Sequence, residues 1–263
     1  MSLHQHENTA AAPHPAHGTR PLLDVRSVYK RFGGVEALKG VSMKLHPGEV
    51  VALAGDNGAG KSTLIKTISG VYQPDDGEIH FDGEPVRFET PEAARGHGIE
   101  TIYQDLALAD NLSIGANIFL GREPMKKVLG FIPVLDRKKM ADAAKETMAR
   151  LDFHVTRMES PVARFSGGQR QAVAIGRAVY WNARVLIMDE PTAALGVPEQ
   201  RKVVSLIQTL KAQGRGIIFI SHNLHDIFAV SDRIVVLRRG SLAGERRLSE
   251  TNPDEIVKLM VGG

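Results

Sequence analysis

The strongest constraint on the fold is the run Gly55-Asp56-Asn57-Gly58-Ala59-Gly60-Lys61-Ser62, which fits the pattern G-x-x-x-x-G-K-[ST]. It follows the apolar stretch at residues 50–54 and opens a helical stretch from Lys61 to Ser69, closed by Gly70. A strand, a glycine loop and a helix in that order are the context the pattern requires. Glycines let the backbone curl until successive N–H groups face one anion, and the helix start adds partial positive charge. In such a loop Gly55, Asp56, Asn57, Gly58, Ala59 and Gly60 surround phosphate oxygens, and Thr63 lies in the same first helical turn. Lys61 reaches the β- and γ-phosphates, and the Ser62 hydroxyl can ligate Mg²⁺.

Two further runs are apolar throughout, at residues 185–188 and 217–220. Uninterrupted apolar strands belong to a sheet covered on both faces, the parallel kind. The first of them delivers Asp189 and Glu190 to the carboxyl edge of the sheet, where nucleotide sites of open α/β sheets lie. Asp189 is placed to hold Mg²⁺, directly or through water, and Glu190 to orient or deprotonate an attacking water. Alternating stretches at residues 41–45 and 78–81 predict antiparallel strands with one wet face. Helix starts are marked at Thr90-Pro91, Asp136, Ser166 and Asn252-Pro253, each a capping residue, twice with Pro at the first helical position. Residues 92–165 carry a helical pattern with no strand interior, so a helical subdomain inserted between strand-rich parts is expected.

The chain has 263 residues, 43% of them hydrophobic and 24% charged, with a net charge of +3. That suits one domain or two intimately joined ones with a sizeable core. Basic residues are scattered in pairs and triplets such as Arg137-Lys138-Lys139 and Arg238-Arg239, each read as a solvated face, so no nucleic-acid partner is expected. No cysteine is present, which removes disulfide and thiol chemistry and fits a reducing compartment. No stretch approaches the roughly 18 apolar residues of a membrane helix, and no signal-peptide core opens the chain. Residues 1–20, polar and rich in Ala, Pro and His, read as a disordered tail, leaving residues 21–263 as the folded unit.

A second glycine-rich helix start lies at Ser166-Gly167-Gly168-Gln169, preceded by Phe165. One chain has no use for two anion cradles on a single nucleotide, whereas two chains packed head-to-tail can each close their second cradle on the partner's γ-phosphate. With this signature just before the strand that ends in Asp189, the sequence from Leu22 onward resembles the ABC ATPase superfamily. The resemblance implies a RecA-like core at about 21–91 and 181–263 and a helical subdomain at about 92–180. The fold class is then α/β: a P-loop NTPase core with a mostly parallel sheet, an antiparallel β subdomain and an inserted helical subdomain. It further implies that Gln104 is the Q-loop residue sensing γ-phosphate and Mg²⁺, that His222 is the switch histidine supporting Glu190, and that Phe32, or less readily Tyr29, stacks on adenine. Two departures stand out: Phe165 replaces the usual Leu, and Gly196 replaces the Asp of the loop after Glu190.

Residues 111–123, 214–218 with Ser221-His222, and 259–262 are similar to the ATPase subunits of bacterial monosaccharide importers of the ribose, xylose and fructose type. The resemblance implies an ATP-hydrolysing homodimer at the cytoplasmic face of the cell membrane. Its expected partners are integral membrane permease subunits and, indirectly, a substrate-binding protein. The alternatives are the ATPase of a non-sugar importer or exporter, or a soluble ABC ATPase.

Overall fold

The computed structural model describes residues 20–151, 153 and 157–262. The expected tail therefore lies, except for Arg20, outside the described residues. In chain order the elements are β1 (Leu23–Phe32), β2 (Val35–Leu45), β3 (Val50–Ala54), α1 (Lys61–Ile68), β4 (Asp76–Phe81), β5 (Glu84–Val86) and α2 (Pro91–Gly96). There follow β6 (Ile99–Ile102), α3 (Ile114–Ile118), β7 (Met125–Val128), β8 (Ile132–Leu135), α4 (Arg137–Arg150) and α5 (Gly167–Tyr180). The chain continues through β9 (Val185–Asp189), α6 (Val197–Ala212), β10 (Gly216–Ile220), α7 (Leu224–Val230), β11 (Arg233–Arg238), β12 (Ser241–Arg247) and α8 (Pro253–Val261).

The main sheet has six strands in the order β12-β11-β3-β10-β9-β6, all neighbours parallel except β12. A second, antiparallel sheet has the order β2-β1-β4-β5. The uninterrupted apolar runs now have a reason. On β3, Val50, Ala52 and Ala54 feed one core while Val51 and Leu53 feed another. Strand β9 divides the same way, with Leu186 and Met188 on one side and Val185 and Ile187 on the other. The first core packs against α3 to α7, and the second against α1 and the antiparallel sheet. Alternating residues of the central strands thus hold two layers together, and neither face reaches water.

Helix boundaries fall where capping chemistry puts them. The side chains of Thr90, Ser113, Asp136 and Asn252 each accept an N–H of the first turn of the helix they precede. One expectation fails: residues 92–165 do contain strands. Ile99–Ile102 is β6, an edge strand of the main sheet running parallel to β9, so the helical insertion begins only after it. Strands β7 and β8 form a separate two-stranded hairpin. At four residues each, all three are too short to show a period, and Pro133 argues against a strand except where an edge tolerates it.

Candidate functional site

The phosphate loop joins β3 to α1. Gly55, Gly58 and Gly60 take φ values of 147°, 79° and 107°, a region that side chains other than glycine enter at a cost. Space adds a second demand, since a Cβ on Gly55 would lie 2.3 Å from the Leu237 carbonyl oxygen and one on Gly60 2.9 Å from that of Ala37. The N-cap of α1 is Gly60 and no side chain caps the helix. Among the other α-helices of the described residues only α6, which starts at Gly196, also lacks a side-chain cap; at α1 the uncapped start lies beside exposed Asp56, Asn57, Gly58 and Ser62. That is a cradle shaped for an anion. Lys61 Nζ donates to the carbonyl oxygens of Gly55 at 2.6 Å and Asp56 at 3.1 Å, within the loop itself. Burial lowers its pKa, and the charges of Glu190, Asp189 and Asp56 oppose that shift.

Register brings the acids to the same edge. Ile220 of β10 pairs with Leu53 of β3 on one side and with Asp189 of β9 on the other. Burial raises the Asp189 carboxyl, as does the negative charge of Glu190, while Lys61 and Lys66 pull it down. An acid held in that state gains from a cation placed beside it. Among the described residues no cluster of three or more His, Cys, Asp or Glu side chains forms a self-sufficient metal cage.

Glu190 stands one residue past β9 with φ 51°, strained for a side chain of its size. Its N–H is tied to the Ile220 carbonyl oxygen at 2.9 Å. His222, just past β10, brings Nδ1 to 2.9 Å from Glu190 Oε1, and its side chain is 78% exposed against 16% for Glu190. A histidine at a solvent-facing edge therefore grips an acid that points into the site. Below them Thr192 donates through Oγ1 to Asp226 Oδ2 at 2.7 Å, both buried. This bond joins the loop after Glu190 to the first turn of the helix after His222. The sequence reading did not single out either partner. The available signal was an acid, Asp226, on the inward face of a helix.

The other expected residues fall on the periphery of this edge. Gln104 is exposed two residues beyond β6, the strand next to β9. The segment that follows it holds two consecutive non-glycine residues at positive φ, Leu106 and Ala107. Arg177 of α5 donates to both their carbonyl oxygens, at 3.4 and 2.9 Å, and Arg170 of the same helix bonds Asp110. The helix that begins at the second cradle thus clamps the Gln104 segment. At its start Ser166 Oγ accepts from Gln169 N while Ser166 N–H donates to Gln169 Oε1, a reciprocal capping box. Gly167 and Gly168 are fixed by packing, since added Cβ atoms would meet Leu195 at 2.7 Å and Glu199 at 2.9 Å. Phe165 packs against the first core. Phe32 ends β1, is 43% exposed and holds its ring edge-on to Tyr72 at 5.0 Å. Tyr29 instead lies over Gly40.

An uncapped helix start behind a glycine loop, with two strand-end acids alongside, defines a P-loop enzyme that binds and hydrolyses nucleoside triphosphate. The chain belongs to the ABC transporter family, whose model matches residues 38–193. It is 51% identical to the xylose/arabinose import ATP-binding protein of Sulfolobus acidocaldarius, over 91% of this chain and 93% of that one. The fructose import ATP-binding protein of Rhizobium meliloti is 46% identical over 89% of this chain and 90% of its own. A ribose import ATP-binding protein of Rubrobacter xylanophilus is 47% identical over 92% of this chain, which spans 47% of that longer protein. Among solved structures, the ADP conformation of an ATP-binding cassette of an ABC transporter superposes with a TM-score of 0.78 at 26% identity, covering 93% of this chain and all of that one.

Proposed function

We propose that this chain is the ATP-hydrolysing subunit of a monosaccharide importer and works as a head-to-tail homodimer on permease subunits at the cytoplasmic face of the membrane. The observation that carries the hydrolytic part is the Glu190–His222 contact of 2.9 Å at the ends of neighbouring parallel strands. In the closed site Lys61 turns from its loop carbonyls to the β- and γ-phosphates, and Phe32 stacks on adenine. Residues 55–60 and the first-turn N–H groups of Lys61, Ser62 and Thr63 wrap the phosphate oxygens. Glu190 accepts a proton from, or orients, the water that attacks the γ-phosphorus, and His222 fixes the carboxylate and contacts the γ-phosphate. Ser62, Gln104 and Asp189 are the residues that would hold Mg²⁺, which when bound neutralises charge between the β- and γ-phosphates.

Ser166, Gly167, Gly168 and Gln169 of one copy complete the site on the other. ATP then favours the closed dimer because its γ-phosphate touches both copies only there, and its loss reopens them. Closure is transmitted to the permeases through the Gln104 segment clamped by Arg170 and Arg177. The monosaccharide class is supported by relatives named for xylose/arabinose, ribose and fructose import at 46–51% identity. In that setting a substrate-binding protein delivers the sugar outside the membrane and never touches this chain. No helix of the described residues is long and apolar enough to cross a membrane.

The test is uptake of a panel of labelled monosaccharides by the native host, comparing wild type, a strain lacking the gene and one carrying Glu190→Gln. Collapse of one sugar's uptake in both altered strains is expected and names the substrate. Normal entry of every sugar in both strains would contradict the importer reading.

A further inference from the structure

Strands β7 and β8 form a hairpin that buries almost nothing. Its registry pairs Met125 with Leu135, Lys126 with Val134, Lys127 with Pro133 and Val128 with Ile132. Paired residues share a face and successive pairs alternate. One face therefore shows Met125 and Leu135, and the other Val128 and Ile132, all exposed. Each face also carries one lysine. At the tip, Leu129 and Phe131 are 78% and 74% exposed. The turn places Leu129 at φ 53° beside Gly130 at 80°, so a branched apolar residue occupies a left-handed position that Asn or Gly would fill without strain. A free two-stranded hairpin is marginal in water. This one spends backbone strain to show apolar side chains to solvent in every direction.

A protein groove would cover one face of such a ribbon and leave the other wet. A ribbon apolar on both faces and at its tip suits a medium that surrounds it. Charge points to the same medium. Six cations and two acids lie between Arg122 and Lys139, whereas the whole chain carries only +3. The excess positive charge of the protein is thus concentrated at and beside this hairpin. Lysines flanking apolar side chains can keep their ammonium groups among phosphates while their stems lie along the acyl boundary.

We propose that the β7–β8 hairpin inserts its tip into the headgroup region of an anionic bilayer, giving the subunit a hold on the membrane surface besides its permease. The inference rests on the reading of this chain as a subunit working at a membrane, but not on the solute carried. The test uses purified full-length protein and no permease, so its failure leaves the uptake result untouched. Sedimentation with vesicles of phosphatidylcholine plus phosphatidylglycerol is expected to bring the protein down, and vesicles of phosphatidylcholine alone are not. Leu129→Ser with Phe131→Ser should weaken binding about tenfold or more. Lys126→Glu with Lys127→Glu should do the same and flatten the dependence on salt. ATP hydrolysis in solution should be unchanged in both. Because the chain has no cysteine, Leu129→Cys carrying a polarity-sensitive dye gives a second reading in an otherwise native hairpin. A blue shift on the anionic vesicles is expected. The proposal is overturned if the dye shows no shift, if wild type stays with the supernatant, or if the tip variant sediments like wild type.

Discussion

The proposed chemistry rests on a few side chains held in costly states. Glu190 accepts a left-handed backbone and Asp189 a raised pKa, both at the edge where β9 and β10 end. Such states persist because their surroundings fix them. Around Glu190 the fixing bonds are its N–H to Ile220, the His222 contact and, one layer down, Thr192 to Asp226. Thr192→Val would leave the Asp226 carboxylate buried without that donor, costing about 1–3 kcal/mol. Since the bond joins the segments that follow Glu190 and His222, the variant should lose turnover more than affinity for ATP, and Thr192→Ser should recover it. Equal loss in kcat and in ATP binding, or no recovery by Ser, would limit the pair to a structural role. Glycine needs are as local: Gly55 and Gly60 answer both a positive φ and a neighbouring carbonyl, whereas Gly167 and Gly168 lie against the side chains of Leu195 and Glu199.

At the scale of elements, one ion pair fixes how the central strands begin. Arg233 at the start of β11 donates to Glu49, just before β3, at 2.8 Å, and also bonds Glu245 and the Lys44 carbonyl oxygen. Burial pushes the Glu49 carboxyl up, but Arg233 and the His46 N–H outweigh it and hold it below its ordinary value. A lowered carboxylate contributes stability that is complete above its unfolded value, near 4.5, and is lost as pH falls through the lower folded value. Arg233→Met should therefore destabilise by about 3–5 kcal/mol near neutral pH by stranding a buried charge. The deficit should shrink as acid protonates Glu49; denaturant unfolding across pH checks this, and a deficit independent of pH would refute it. Much at this scale was legible beforehand. Apolar continuity marked β3, β9 and β10, and side-chain caps marked α2, α4, α5 and α8. Strand β6 was not, because Glu100 and Thr101 occupy its middle and its place depends on pairing with β9, a contact 86 residues away at Ile99 and Val185. The hairpin was hidden for the opposite reason: it has no buried face, so its sequence lacks the alternation that burial imposes.

For the whole molecule, two sheets and a helical layer bring the glycine loop, two acids and a histidine to one edge, while the second cradle heads α5 elsewhere. The glycine loop and the two acids of that edge were readable as motifs, since each motif carries its chemistry in consecutive positions, whereas His222 was indicated by the family resemblance. What joins them was not, because Arg177 reaching Leu106 and Ala107, and Thr192 reaching Asp226, are contacts across 71, 70 and 34 residues. In the proposed mechanism a complete ATP site needs two copies of the chain. Glu190→Gln slows hydrolysis by about 10²- to 10⁴-fold if Glu190 is the base, so ATP persists in the site. The measurement is sedimentation of that variant with Mg²⁺ and either ATP or ADP. A dimer with ATP and a monomer with ADP is the predicted result; a monomer in both, with ATP shown to be bound, would contradict it.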